Sequence, residues 1–84
     1  MDILDLISTA GKTRKLIEIV YFKESEDKNK VYILEPYEVR EGYLWGFDTI
    51  DSHIKKFKIG NIKSVTVKTE SFEPRWEVKL WELI

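Results

Sequence analysis

Leu16-Ile-Glu-Ile-Val-Tyr-Phe-Lys23 is the stretch on which the fold turns. It is rich in β-branched and aromatic residues and contains neither glycine nor proline, so it reads as a strand. Ile17, Ile19 and Tyr21 share one face, while Leu16, Glu18, Val20 and Phe22 share the other, which predicts a strand covered on both sides. Directly after it comes Glu24-Ser-Glu-Asp-Lys-Asn-Lys30, with no apolar side chain, which reads as a hairpin loop. A strand followed by such a loop needs an antiparallel partner, and the residues beyond supply several.

The second strand is expected over 31–38, with Pro36 at an edge position or a bulge. Glu41-Gly42 introduces a third over 43–48, in which Tyr43, Trp45 and Phe47 share a face opposite Leu44, Gly46 and Asp48. A turn over Thr49–Ser52 leads to a fourth, 53–59. Gly60-Asn61 marks a turn, with Ile62 in a short helical turn, before a fifth strand over 64–69. Pro74 separates this from a sixth, 75–82, where Trp76, Val78 and Leu80 face one way and Glu77, Lys79 and Trp81 the other. That last strand closes the sheet, packs against the helix or pairs with another chain. Upstream, Ile3, Leu4, Ile7 and Ala10 recur at helical spacing, which predicts a helix over 2–11 with Gly11 at its C-cap. The whole chain, 1–84, is thus expected to form one mainly β domain: a small barrel of five or six strands behind a short N-terminal helix.

Composition narrows the function. The 84 residues contain no cysteine and one histidine, His53. This excludes disulfides, thiolate metal sites and cysteine nucleophiles. The formal charge is −1, from 14 basic and 15 acidic residues, which argues against a polybasic protein as a whole. The N-terminus is acidic, unlike a secretory signal, and no apolar run approaches the roughly 20 residues of a membrane span. A cytoplasmic protein without membrane association is expected.

No catalytic constellation stands out. Ser52, His53 and Asp48 or Asp51 crowd into one turn without an oxyanion loop, and the same turn explains the Asp48-x-x-Asp51-x-His53 spacing better than a metal site does. The glycines are isolated, so no phosphate-cradling loop is present. No enzyme activity, cofactor or metal is expected. The charge distribution is more informative than its sum. Between Ser52 and Thr69 there is no acidic residue, yet Lys55, Lys56, Lys58, Lys63 and Lys68 fall there. Strand alternation places Lys56 and Lys58 outward and Lys55 with Phe57 and Ile59. Phe22, Trp45, Phe47, Phe57 and Trp76 are expected in the core, and Tyr21, Tyr32 and Tyr43 with rings packed and hydroxyls at the rim.

Four motifs then occur in order: Leu16-x-Ile-x-x-Tyr21, Tyr32-x-x-Glu-Pro36, Gly42-Tyr-Leu-Trp-Gly-Phe-Asp48 and Lys55-x-Phe-Lys-Ile-Gly-Asn-Ile62. Together they resemble the WYL domain family, from the helix through Phe72-Glu-Pro74. The resemblance implies an Sm-like, SH3-type barrel. It also implies a role like that of WYL domains in transcription regulators, phage-defence regulators and CRISPR accessories, which are thought to sense nucleic acid or a nucleotide-like ligand and control an attached activity. Tyr43 and Leu44 match the last two letters of the family's Trp-Tyr-Leu triplet, whose tryptophan position holds Gly42. In the family's Arg-x-Phe-Arg-Leu-Asp-Arg-Ile run, Lys55 and Lys58 replace two arginines, and Gly60-Asn61 replaces the Asp–Arg pair.

The expected function is a sensing or accessory domain that binds single-stranded RNA, DNA or a nucleotide-type ligand and modulates a protein partner. Lys55, Lys56 and Lys58 would attract phosphate. Tyr21, Tyr32 and Tyr43 would offer rings or hydroxyls, and Asn61 a hydrogen bond to base or sugar. The alternative is a ligand-free interaction or oligomerisation module acting through residues 75–84. A homodimer is expected in either case.

Overall fold

The structure, a computed structural model, describes residues 2–79. Helix α1 spans Ile3–Thr13 and is started by Asp2, whose Oδ1 accepts the Asp5 amide at 3.0 Å. It runs past Gly11, which lies buried within it, and ends at Arg14 in the left-handed region (φ 58). Arg14 rather than Gly11 forms the cap because it serves one carbonyl twice. Its amide and its guanidinium both donate to the Gly11 oxygen, at 3.3 and 2.6 Å. Ile7 and Ala10 are fully buried with Ile3 and Leu6 packed beside them, whereas Leu4 points away and is 40% exposed. The helix lies on β5, β1 and β2.

The strands are β1 (Lys15–Lys23), β2 (Lys28–Arg40), β3 (Tyr43–Asp48), β4 (His53–Lys58) and β5 (Ile62–Ser71), arranged antiparallel in the order β4-β3-β2-β1-β5. The 24–30 loop is tighter than its composition suggests. A 3-10 turn over Glu24–Glu26 and Asp27 at φ 50 bring Lys28 back opposite Lys23. Glu26 draws this lysine-rich hairpin together, with Lys23, Lys30 and Lys28 at 3.1, 3.1 and 3.6 Å. Hydrogen bonds from Lys30 and then Lys23 hold its carboxyl at about 2. A second 3-10 turn covers Ile59–Asn61, one residue earlier than expected, and buried Ile62 opens β5.

Strand β2 is the pivot. Its first half pairs with β1 and its second with β3, and Leu34 stands opposite both Ile17 and Asp48. Between Pro36 and Glu38 the register slips, so Tyr37 is bulged and its ring is fully buried. Its hydroxyl donates to Glu35 Oε1 at 2.6 Å and accepts the Arg75 amide at 2.9 Å. The Arg75 guanidinium reaches both Glu35 oxygens at 3.1 and 3.3 Å and lies 3.9 Å above the Phe47 ring. Glu35, only 5% exposed, is thereby paired and fully bonded. Trp76 stacks on Tyr37 at 3.9 Å, and the Lys79 amide donates to the Tyr37 carbonyl at 2.7 Å.

Several expectations are corrected. The mainly β class with one N-terminal helix holds, but the sheet stays open, since β4 and β5 are its two edges. Residues 75–79 form no strand. They fold back as a strap that buries Val78, and 80–82 lie outside the described residues. On β3 the interior face carries Leu44, Gly46 and Asp48 rather than Trp45 and Phe47. At Gly46 this face comes close to β2, where an added Cβ would sit 3.0 Å from the Glu35 carbonyl oxygen. Of the five rings expected in the core only Phe57 is buried there. Trp45 and Phe22 are half-buried under Arg40 and Lys63 respectively, Phe47 packs against the core from the side, and Trp76 is 38% exposed. Among the described residues no helix is long and apolar enough to cross a membrane.

Gly46→Ala is expected to destabilise the domain by about 1–3 kcal/mol, because backbone must move to admit the methyl group; urea unfolding measures it. Tyr37→Phe leaves Glu35 and the Arg75 amide each short of a partner and should cost about 1–3 kcal/mol. Burial, then the Glu35 hydrogen bond, push the Tyr37 phenol up to about 12 from an ordinary 10. Its contribution is therefore complete below pH 10 and is lost as the pH rises from 10 towards 12. The gap between wild type and Tyr37→Phe should narrow over that window in urea midpoints.

Candidate ligand cleft

A cleft of about 460 Å³ opens along the free edge of β4. Tyr21 reaches it from β1, Tyr32 from β2, Tyr43 from β3, and Lys55, Lys56 and Lys58 from β4, while Asn61 comes from the following 3-10 turn. All seven residues singled out in the sequence thus meet in one place. Lys23, Glu24, Ser25 and Phe57 complete the lining and were not anticipated there. Phe57 belongs to the core as well, as its sequence position predicts. The other three sit in a polar hairpin with no local mark of a site, and only the curl of the sheet brings that hairpin opposite β4.

The floor is aromatic. Tyr21 and Tyr32 meet Phe57 edge-on at 5.0 and 4.9 Å and lie 6.3 Å from each other. The β4 backbone fixes one wall. The Ile59 amide turns inward to the Gly42 carbonyl at 2.9 Å, so the preceding Lys58 amide faces the free edge and donates to the Tyr21 hydroxyl at 3.1 Å. One phenol therefore holds β1 and β4 together where no ladder joins them. On β3, Tyr43 follows a two-residue turn in which Glu41 and Gly42 both have positive φ (55 and 84). This type I′ geometry favours glycine at position 42 over a bulky residue.

The lysines divide by partner. Lys55 donates to Asp48 Oδ2 at 2.8 Å and Asp51 Oδ2 at 2.6 Å, and these bonds raise its pKa well above the ordinary lysine range. Burial pushes the Asp48 carboxyl up, but Lys55 and the amides of Ile50 and Asp51 together bring it below its usual value. Asp48 is thus occupied as the cap of its turn, and among the described residues no group of metal-binding side chains assembles. Lys23 pairs with Glu26. Lys56 and Lys58 are exposed and lie within ion-pair distance of no carboxylate among the described residues. The Lys56 ammonium rests over Tyr43 and Trp45 at 4.6 and 5.6 Å, which aims it across the cleft wall. Lys63 and Lys68 are elsewhere, over Phe22 and beside Glu18. Asn61 Nδ2 donates to Glu24 Oε1 at 2.8 Å, joining the two turns across the cleft.

Lys55→Ala should destabilise the fold by about 1–2 kcal/mol, a value reduced by its partial exposure, because Asp48 keeps a buried charge with fewer partners. The depressed Asp48 pKa means that its stabilisation is present above pH 3.8 and lost as the pH falls below that value. The acid limb of the urea midpoint profile should therefore be shallower in Lys55→Ala than in wild type.

The family model for the WYL domain matches residues 2–67. No curated protein matches the chain. Among solved structures, proteasome accessory factor B/C (PafBC) of Arthrobacter aurescens is similar, with a TM-score of 0.76 and 26% identity over 94% of this chain. The matched part is 14% of that protein's chain, so the present sequence spans only a small portion of its length. With a helix and five antiparallel strands in this order and most of its length matched, the chain belongs to the WYL domain family.

Proposed function

We propose that this WYL domain is a ligand-sensing regulatory or accessory domain that binds single-stranded nucleic acid, or a nucleotide-type ligand, in the β4-edge cleft and so modulates a partner. Family membership and the likeness to a proteasome accessory factor support a regulatory domain in the broad sense. The observation that carries the ligand reading is the pairing of two uncommitted lysines, Lys56 and Lys58, with an aromatic floor in one open cleft. Phosphate attraction needs cations that no protein carboxylate already neutralises. Sequence-tolerant base binding needs ring faces or edges at the spacing of a nucleotide. The cleft offers both, and its volume suits a nucleotide unit rather than a duplex.

Within this reading, Lys56 and Lys58 attract phosphate, Tyr43 and Tyr32 flank the base, and Lys55 holds the wall through Asp48 instead of touching the ligand. Tyr21 positions β4 through its bond to the Lys58 amide. A ligand phosphate drawn to Lys58 would therefore act on the hydrogen bond that ties β4 to β1, which gives binding a route to the rest of the sheet. The cleft is assigned to binding and not to catalysis.

Fluorescence anisotropy of a labelled oligo(dT) decamer at increasing salt tests this. Two phosphates neutralised on a single strand give a log–log slope of about −1.4. Lys56→Glu/Lys58→Glu should abolish binding, with the melting temperature retained because both side chains are exposed. Binding indifferent to salt, or unchanged in that variant, would overturn the assignment.

A further inference from the structure

The pair formed by Glu24 and Asn61 is the feature of the cleft that phosphate attraction and stacking leave unexplained. A carboxylate placed among lysines weakens phosphate attraction, so its presence at the rim calls for another role. Glu24 is exposed and takes part in no ion pair among the described residues. Its Oε1 accepts from Asn61 Nδ2 at 2.8 Å. Since an ionised carboxylate can only accept, the amide must present its nitrogen here, and that nitrogen carries a second hydrogen. Oε1 has one lone pair engaged and another available, and Oε2 accepts no hydrogen bond among the described residues. The polar edge of the pair therefore reads donor, acceptor, acceptor: Asn61 Nδ2–H, Glu24 Oε1, Glu24 Oε2.

We propose that Glu24 and Asn61 read the Watson–Crick edge of an unpaired base in this cleft and select guanine. Guanine presents acceptor, donor, donor through O6, N1–H and the N2 amino group, which is the complement of that array. Adenine offers one donor beside an acceptor, cytosine one donor beside two acceptors, and thymine or uracil a donor between two acceptors. None of these satisfies all three positions of the array: adenine and cytosine match at most two, and thymine or uracil sets an acceptor against a carboxylate oxygen. Unpaired bases are commonly recognised on this edge while their rings rest on aromatic side chains, and Tyr32 and Tyr43 line the same cleft. Glu24 starts the 3-10 turn after β1 and Asn61 ends the one after β4, and no other hydrogen bond of the described residues joins those two turns. The proposal rests on the reading that the cleft binds single-stranded nucleic acid.

The test uses the full chain and three labelled oligo(dT) decamers carrying one central guanine, hypoxanthine or adenine. Guanine should bind roughly tenfold more tightly than adenine, a discrimination in the range of one bidentate base contact. Hypoxanthine keeps O6 and N1–H but lacks the amino group, and should fall between them. Glu24→Gln, which replaces one acceptor by a donor and removes a negative charge from the cleft, should tighten all three decamers together while bringing the guanine-to-adenine affinity ratio to about one. Equal wild-type affinities for the three, or a guanine preference that survives Glu24→Gln, would overturn the proposal while leaving the cleft as a nucleic-acid site. Failure of every decamer to bind would overturn the nucleic-acid reading itself, and base selection with it.

Discussion

The structure depends on one constraint: β2 must serve two halves of a sheet that curls too sharply for a regular strand. Its 13 residues pair with β1 up to Leu34 and with β3 from Leu34 onward. The change of direction is made by the bulge after Pro36, which has no amide to lose from the ladder and stands opposite Gly46, where the backbones come close. The bulged Tyr37 turns inward as one of the largest fully buried side chains, and its hydroxyl needs a partner there. Glu35, two residues earlier, supplies it. The charge that this buries is in turn matched by Arg75 from the strap. A bend in one strand thereby dictates where a segment 40 residues away must lie.

The curl also makes the cleft. In a flat sheet, β4 and β1 would be separated by β3 and β2. Here the free edge of β4 approaches Tyr21 closely enough for its hydroxyl to take the Lys58 amide. The opening left between the edges collects side chains from β1, β2, β3 and β4. Charge pairing then sorts the lysines. Those that face carboxylates, Lys55 and Lys23, serve the architecture, and those that do not, Lys56 and Lys58, remain available to a ligand. This division is of more use than the net charge of −1, which averages over both kinds.

Much of this was legible in the chain. The limits of β1 and β3 follow from alternation and from the loop and the Glu41-Gly42 turn that bound them, because a two-residue periodicity is a local property of the backbone. Pro36, with no amide for the ladder, pointed to a bulge or an edge position, and only the pairing of β2 on both sides decides for the bulge. Burial was less so. Alternation divides Trp45 and Phe47 from Leu44 and Gly46, but it cannot say which set faces inward, and the larger rings prove to be the outer set. The strap failed as a strand because its pairing is decided by Tyr37 and Glu35, not by its own apolar pattern.

By itself the sequence determined the mainly β class, the helix at its head, the family, and which lysines and tyrosines merit attention, since these rest on residue type, spacing and motif order. Tertiary structure alone decided that Lys55 belongs to Asp48 and Asp51 while Lys56 and Lys58 stay unpaired, and that Glu24 meets Asn61 across 37 residues. Ion pairs and hydrogen bonds act over a few ångströms in space, and no pattern along a chain records which distant residues a curled sheet will bring within that range.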